Sequence, residues 1–131
     1  MSEGMELRLP WPPSVNTYWR HVPWGRGVRS LISRRGRQYR GEVASAVVEA
    51  FASGRPAVMR RAQSGARLSV AIQAYPPDRR SRDLDNLPKA VLDALGHAGV
   101  YGDDSQIDRL EIERRGVARP GEVVVQIEEV A

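Results

Sequence analysis

The residues best suited to chemistry lie between positions 78 and 108, where all seven aspartates of the chain fall. Lys89, the only lysine of the chain, lies among them. Apart from the histidines, all remaining basic residues are arginines. Lysine carries a compact charge and a transferable proton, so this pattern indicates that the amine itself is needed. Clustered carboxylates repel each other, and hard divalent ions such as magnesium bind such all-oxygen sites. One or two such ions can activate water for phosphodiester hydrolysis. Lys89 would then neutralise charge on the scissile phosphate or assist proton transfer.

A helix must position these groups, and the apolar spacing predicts one over residues 86–98. Pro88 suits the first turn and Gly99 suits the end of a helix. Either Asp85 or Asn86 can cap the N-terminus. The predicted buried face consists of Leu87, Val91, Leu92 and Leu95, continuing from Leu84.

The tertiary fold decides whether the aspartates meet. Asp83 and Asp85 are two residues apart, so their side chains converge only if this segment is extended before the helix. Lys89 then lies one helical turn beyond Asp85. Asp103 and Asp104 follow the helix after a short turn. The alternative interpretation is that all four aspartates only cap helices and turns.

Three stretches carry a resemblance: LPWPPSVNTYWR at residues 9–20, PPDRRSRDLDNLPK at residues 76–89 and GDDSQI at residues 102–107. In this order and spacing the chain resembles the RusA-like Holliday junction resolvases of bacteria and their phages. The resemblance covers most of the chain from residue 5 onward. It implies a magnesium-dependent homodimeric endonuclease, with manganese as a substitute metal. Such an enzyme resolves four-way DNA junctions by paired symmetric nicks.

The resemblance also implies roles for single residues. The family's catalytic, metal-binding acids fall on Asp83, Asp85 and Asp104, and its essential lysine falls on Lys89. Asp103 is the acidic neighbour of the catalytic position, and its part in metal binding stays open. The family shares Asn16, which is expected to support the active site or to contact DNA.

Charge is distributed unevenly along the chain. The net charge is +4 and the isoelectric point is near 10.1, which modestly favours a polyanionic partner. Residues 1–67 contain twelve arginines and four glutamates, whereas residues 68–131 contain eight basic and twelve acidic residues. A basic half for the phosphate backbone and an acidic half for metal suit a nuclease. The alternative is that the arginine content partly reflects a GC-rich genome.

A segment rich in arginine and tryptophan, residues 18–37, suits stacking on exposed bases and contact with phosphates. Gly25 and Gly27 predict that it is mobile without DNA. The alternatives are that the tryptophans only cover an edge of the core and that the arginines before the acidic motif are counter-charges for the aspartates. The predicted DNA-binding residues are Asn16, Tyr18, Trp19, Arg20, Arg34, Arg35, Arg37, Arg79, Arg80 and Arg82.

The predicted fold class is α+β: one domain over residues 1–131, with two layers and a small mixed β-sheet carrying two helices. The predicted order is β-α-β-α-β-β. Strands are expected around residues 5–9, 68–74, 110–112 and 123–127, and helices over 34–52, capped by Ser33, and 86–98. Residues 53–66 are predicted to form an exposed loop, and residues 116–121 a hairpin-like connection.

Composition also excludes several classes of protein. The chain has no cysteine, so it forms no disulfides and no thiolate metal site. No apolar run approaches the roughly 20 residues that span a bilayer, and the N-terminus does not read as a signal peptide. We expect a protein without membrane contact in the cytoplasm of a bacterial or phage-infected cell.

Three hypotheses, two of them enzymes, fit these observations. The first is a junction-resolving endodeoxyribonuclease in DNA recombination and repair or in phage DNA processing, with four-way junction DNA as its partner. The second is a non-catalytic protein that binds branched DNA. A metal nuclease acting on other branched DNA is a third reading. Only an enzyme needs the full set of three aspartates and the lysine, which favours an enzyme over the binding protein but does not distinguish the two nucleases.

Overall fold

The computed structural model describes residues 4–130 and contains six strands. They are β1 (Met5–Pro10), β2 (Trp19–Trp24), β3 (Gly27–Ile32), β4 (Leu68–Tyr75), β5 (Ile107–Arg114) and β6 (Glu122–Glu129). Four of them form the main sheet in the order β1-β6-β4-β5, and β2 and β3 form a separate hairpin. β4 is parallel to β5 and antiparallel to β6, and β6 is antiparallel to β1.

Within the same described residues, four α-helices accompany the strands. They are α1 (Val15–Tyr18), α2 (Arg34–Ala50), α3 (Ala57–Gln63) and α4 (Pro88–His97). Two 3-10 turns, Leu84–Asn86 and Asp104–Gln106, precede α4 and β5. α4 connects the parallel strands β4 and β5, which cannot be joined by a tight turn and require such a crossover.

The core lies between the main sheet and the helices α2 and α4, which also contact each other. Along β4 every second residue is buried: Leu68, Val70, Ile72 and Ala74. This alternation follows from the two-residue period of a strand with one covered face. The apolar stripe of α4 closes the core from the other side, with Ala90, Val91, Ala94 and Leu95 fully buried.

The predicted α+β class with a mixed sheet is confirmed, as are both long helices and the four main strands. Ser33 caps α2, because its hydroxyl accepts a hydrogen bond from the Gly36 amide at 2.9 Å. The order and the number of helices were wrong. Residues 53–66 contain α3, in which Val58, Met59 and Ala62 are buried. This short apolar pattern was missed because the neighbouring residues are typical of loops. The hairpin β2–β3 and the single turn α1 were also not predicted.

The connection between β5 and β6 is not hairpin-like. Because β4 lies between these two strands, residues 116–121 must cross the end of β4. The Arg115 amide bonds the Ala74 carbonyl at 2.7 Å, and the Ala118 amide bonds the Pro76 carbonyl at 2.9 Å. Gly and Pro in a short connection resemble a hairpin signal, and only the strand pairing distinguishes the two.

The start of α4 also differs from the prediction. Neither Asp85 nor Asn86 caps this helix, because Leu87 precedes it with a helical backbone, and within the described residues no side chain caps it. The 3-10 turn therefore runs directly into α4, and both polar side chains are left exposed.

Within residues 4–130 no helix combines the length and the apolar character needed to cross a membrane. Residues 1–3, on which the expectation about a signal peptide partly rests, and residue 131 lie outside the described range.

Candidate active site

One face of α4 and of the turn before it carries most of the candidate catalytic groups. Asp85, Lys89 and Asp93 follow each other at intervals of four residues, which places successive side chains on the same side of a helix. Asp85 and Lys89 are exposed and Asp93 is half-buried. We call this row of three residues the α4 row.

The segment before the α4 row is held by Arg82. Its guanidinium bonds the Asp78 carboxylate at 2.8 Å and lies over the Trp11 ring, 5.6 Å from the centroid. Its backbone oxygen accepts a hydrogen bond from Arg114 at the end of β5. Arg82 thus neutralises Asp78 and fixes the backbone immediately before Asp83. The backbone of Asp83 itself is extended, with φ −84° and ψ 133°.

A cleft beside Asp83 faces the proline-rich loop after β1. The cleft is lined on one side by the loop and on the other by the residues that enter α4. Its lining residues are Trp11, Pro12, Pro13, Ser14, Ser81, Arg82, Asp83, Asn86 and Leu87.

The second group of acids, Asp103 and Asp104, lies beyond the C-terminal end of α4. The Asp103 carboxylate accepts a hydrogen bond from the Ser105 amide at 3.1 Å, and the Gln106 side chain accepts one from the Asp103 amide at 2.8 Å. Gln106 is buried and donates to the carbonyls of Ala62 and Ala66, both at 2.8 Å. This reciprocal cap anchors the two aspartates to the protein interior.

The carboxyl groups of Asp103 and Asp104 are close enough to affect each other's protonation. The contact with Asp103 and partial burial raise the pKa of Asp104, while the Ser105 amide and the same contact lower the pKa of Asp103. A proton held between two carboxylates relieves their repulsion, and a bound cation relieves it in the same way.

Asp93, the last residue of the α4 row, is held by side chains of two other helices. Its Oδ2 atom accepts bonds from Nε and Nη2 of Arg40, both at 2.9 Å, and from the hydroxyl of Tyr18. Arg40 also donates to the Tyr18 oxygen at 3.2 Å. Burial and the contact with Asp93 raise the pKa of Tyr18, so its hydroxyl stays protonated. This Tyr18–Arg40–Asp93 network joins α1, α2 and α4.

A second cleft contains the network and the two aspartates together. Its lining residues are Arg40, Leu92, Asp93, Gly96, His97, Tyr101, Gly102, Asp103 and Asp104. Asp83 and Asp104 therefore line different clefts, one at each end of α4. A helix of this length extends about 15 Å, so the structure distributes the acids along the helix rather than at one point.

Lys89 lies between the two groups of acids. Its ammonium nitrogen is 6.0 Å from the centroid of the Trp19 ring, at the outer limit of a cation–π contact. The Trp19 indole N–H is buried, and within residues 4–130 it has no hydrogen-bond partner. The ring packs against the core and supports the lysine from one side.

The donor chemistry of this face suits a hard divalent cation, because all the acidic ligands offer carboxylate oxygens. Within the described residues of one chain, however, these carboxylates are not gathered at one point. Within residues 4–130 no three side chains of histidine, cysteine, aspartate or glutamate are placed to hold one ion together. The pair Asp103–Asp104 supplies two adjacent carboxylates, and Asp83 and Asp85 lie apart from it.

The residues predicted to bind DNA occupy three settings. Asn16 and most of the arginines are exposed, whereas Arg35 and Arg82 are half-buried in ion pairs with Glu42 and Asp78. Tyr18 is fully buried, so its ring offers no surface for a base. The exposed arginines are Arg20, Arg34, Arg37, Arg79 and Arg80.

Sequence reasoning missed the residues that support this face. Asp93 was not selected because its partners Tyr18 and Arg40 are distant in sequence. Its spacing of four residues from Lys89 does predict that it shares a helix face with the lysine. Gln106 had no recognisable signal except its position three residues after Asp103, which is typical of a capping box.

Comparisons with known proteins identify the family of this chain. The family model of endodeoxyribonuclease RusA matches residues 10–128. The crossover junction endodeoxyribonuclease RusA of Escherichia coli strain K12 is 37% identical over 124 residues, which cover 95% of this chain and 93% of that protein. The protein of the same name from Enterobacteria phage HK97 is 40% identical over 117 residues, covering 86% and 83%. The chain therefore belongs to the RusA family of endodeoxyribonucleases.

Proposed function

We propose that this protein is a Holliday junction resolvase, an endonuclease that cuts four-way DNA junctions by paired symmetric nicks. The single observation that carries the proposal is the match to the RusA family over residues 10–128. Relatives of this chain in that family are named crossover junction endodeoxyribonucleases. The exposed carboxylates and the exposed lysine along α4 are the groups that phosphodiester hydrolysis requires. The whole chain acts as one domain in DNA recombination and repair or in phage DNA processing, in the cytoplasm of a bacterial or phage-infected cell.

The family indicates a divalent metal, and we propose magnesium, with manganese as a substitute. Asp83, Asp85 and Asp104 would hold it, and Asp103 is a further candidate because its carboxyl group contacts Asp104. When bound, such an ion supplies activation of water and stabilisation of the departing oxygen. Because the acids lie at both ends of α4 in one chain, dimer formation or DNA binding must bring them closer together before three of them share an ion.

Lys89 is proposed to act on the scissile phosphate. An exposed ammonium group between two groups of carboxylates attracts a phosphate that the carboxylates alone would repel. The ring of Trp19 limits the positions of the lysine side chain and therefore orients its charge. Lys89 then neutralises negative charge that develops on the phosphate or transfers a proton to the departing oxygen.

The basic first half of the chain is proposed to bind the DNA arms. From Leu7 to Gly41 the sequence contains eight arginines and no acidic residue. Phosphate contacts of this kind release counterions, so the affinity should fall steeply as salt increases. A homodimer suits the task because two symmetric nicks need two active sites related by a two-fold axis.

The experiment that tests the proposal incubates the purified protein with a labelled four-way junction, with and without magnesium. Linear duplex and flap DNA of the same length serve as controls. Paired symmetric nicks on the junction alone, and only with metal, are expected. Tight junction binding without cleavage in magnesium or manganese would show a binding protein instead, and preferred cutting of the flap would show a nuclease for other branched DNA.

A further inference from the structure

The hairpin β2–β3 presents a surface to which the proposed active site assigns no role. Within the part of the chain that the structure describes, its two strands pair only with each other, so the hairpin stands apart from the main sheet. A two-residue turn, Gly25–Arg26, joins them, and Gly25 has φ +58°. A turn that needs positive φ at its first position strongly favours glycine. This tight turn places Trp24 at the tip.

Trp24 differs from the other two tryptophans. It is 64% exposed, whereas Trp11 and Trp19 pack against the core. Val28, opposite Pro23 on the other strand, is 70% exposed. Large apolar side chains at the tip of a protruding hairpin do not stabilise the fold, and such exposed apolar groups commonly mark a contact with a partner.

The surroundings of Trp24 identify the chemistry of that partner. Arg29 lies opposite Val22 in the strand register, on the same face as Trp24, and its guanidinium is 4.8 Å from the centroid of the Trp24 ring. Arg20 follows on this face because alternate residues of a strand point the same way. We call Arg20, Trp24 and Arg29 the hairpin face. One side of the indole ring meets a cation, and the exposed remainder is available to an aromatic partner.

Charge distinguishes DNA from a second copy of this chain as the occupant. The hairpin lies in the stretch from Leu7 to Gly41, which has eight arginines and no acidic residue. The same face of a second copy would repel it, whereas a phosphate backbone would attract it. Single-stranded nucleic acid binds to surfaces that combine aromatic rings with basic groups, because bases stack on the rings while phosphates pair with the charges.

We infer that Trp24 stacks on an unstacked base of branched DNA, with Arg20 and Arg29 on the flanking phosphates. The placement of this base at the centre of a four-way junction rests on the proposed function. The stacking itself rests only on the hairpin face. Trp24 is therefore a recognition residue that distinguishes branched or single-stranded DNA from duplex DNA, in which every base is already stacked.

The test measures binding without metal, so that cleavage plays no part. Full-length parent protein and the Trp24→Ala and Trp24→Phe variants bind a four-way junction with 2-aminopurine at the branch point, a single-stranded oligonucleotide and a linear duplex. We expect Trp24→Ala to weaken binding to the junction and the single strand by about tenfold, the scale of one lost base–aromatic stack, and to leave duplex binding unchanged. Trp24→Phe should retain most of the affinity.

Val48→Ala is the matched control, because Val48 is 71% exposed on α2, outside the hairpin. It should bind all three DNAs like the parent. Equal affinities of parent and Trp24→Ala for the junction and the single strand would overturn the inference, as would equal weakening on the duplex. A change from dimer to monomer in Trp24→Ala would overturn it in favour of a protein contact.

The two proposals fail separately. If the parent never cuts junctions with magnesium but Trp24→Ala still loses single-strand binding, the proposed function is wrong and the stacking role stands. If the parent resolves junctions and Trp24→Ala binds like the parent, the stacking role alone is wrong.

Discussion

The face of α4 and the hairpin β2–β3 are built in opposite ways. α4 packs its apolar side against the core, with Val91 and Leu95 fully buried, and is joined to α1 and α2 by the Tyr18–Arg40–Asp93 network. The hairpin has exposed side chains at its tip and pairs with no strand of the main sheet in residues 4–130. Hydrolysis needs groups held in position, whereas contact with a flexible DNA branch tolerates a movable arm. Changes under α4 should therefore affect stability, and changes on the hairpin should affect DNA binding alone.

The largest expected effect comes from Gly36→Ala, at the point where α2 meets the end of α1. A Cβ atom at Gly36 would lie 2.4 Å from the Tyr18 carbonyl oxygen and 2.8 Å from Cγ1 of Ile32. Because a backbone atom cannot move aside cheaply, we expect a loss of about 2–3 kcal/mol in the free energy of unfolding. Denaturant unfolding measures it.

Gly41→Ala is the control for this change. Gly41 lies in the same helix, and among residues 4–130 no atom lies within 4 Å of an added Cβ. Alanine is the better helix former, so this variant should gain about 0.5–1 kcal/mol. A Gly36→Ala variant that is as stable as the parent would mean that α1 and α2 are not tightly packed.

A smaller effect is expected for Asp93→Ala, which removes the acid of the network. Arg40 then loses its counter-charge while only 21% of its side chain is exposed, and Tyr18 loses its acceptor. Removing one partner of a fully buried pair costs about 3–5 kcal/mol, and partial exposure reduces the expected loss to about 1–2 kcal/mol. Thermal unfolding measures this loss.

Asp108→Ala provides the comparison, since Asp108 pairs with Arg67 on the exposed surface. It should shift the unfolding temperature less than Asp93→Ala does. If the two variants unfold alike, the network does not stabilise α4, and the contrast with the hairpin is lost.

The hairpin should respond through DNA binding. Arg20→Gln removes one exposed positive charge from the hairpin face. We expect a several-fold weaker affinity for junction DNA, with the slope of log K against log salt reduced by about one, and an unchanged unfolding temperature. Arg109→Gln, on β5, is the control and should leave the slope unchanged. An Arg20→Gln variant that unfolds at a lower temperature would contradict the independence of the hairpin.

The buried tyrosines should change stability least near neutral pH, since their effect appears only in strongly alkaline solution. Burial raises the pKa values of Tyr18, Tyr39 and Tyr101 above the ordinary 10.0, so the ionised form is favoured in the unfolded chain. Their stabilising contribution is complete below about pH 10 and is lost as the pH rises through the raised folded-state values.

Absorbance at 295 nm and circular dichroism, followed together in a Tyr75→Phe variant, measure this transition. Ionisation of the three buried tyrosines should coincide with unfolding. Reversible ionisation near pH 10 in a protein that stays folded would show that these hydroxyls are accessible to solvent.

The sequence predicted the elements with a strong local period. The alternating residues of β4 and the apolar stripe of α4 were recognised, and Ser33 was correctly assigned as the cap of α2. α3 was missed because its seven residues are flanked by glycine, proline and serine, so the loop composition outweighed a short helical stripe. The crossing of β4 by residues 116–121 depends on strand pairing between distant segments, which local patterns do not encode.

The candidate site was predicted by residue type more fully than by position. The motifs selected Asp83, Asp85 and Lys89, and their roles in catalysis remain predictions. Neither the separation of the two groups of acids nor the support from Asp93 was visible in sequence, because both depend on how α1, α2 and the turn after α4 pack together. Tyr18 was selected as an aromatic DNA contact, whereas the structure buries it as a partner of Asp93.

The most direct test of the central claim, that the face of α4 performs the chemistry and the basic half binds DNA, compares Asp85→Asn with the parent on a labelled four-way junction. Asp108→Asn is the control, since it makes the same substitution at an exposed carboxylate that lies on β5 and not in the α4 row. The prediction is that Asp85→Asn loses magnesium-dependent cleavage, while its junction affinity and unfolding temperature match those of the parent. Full cleavage by Asp85→Asn would contradict the assignment of the active site to this face.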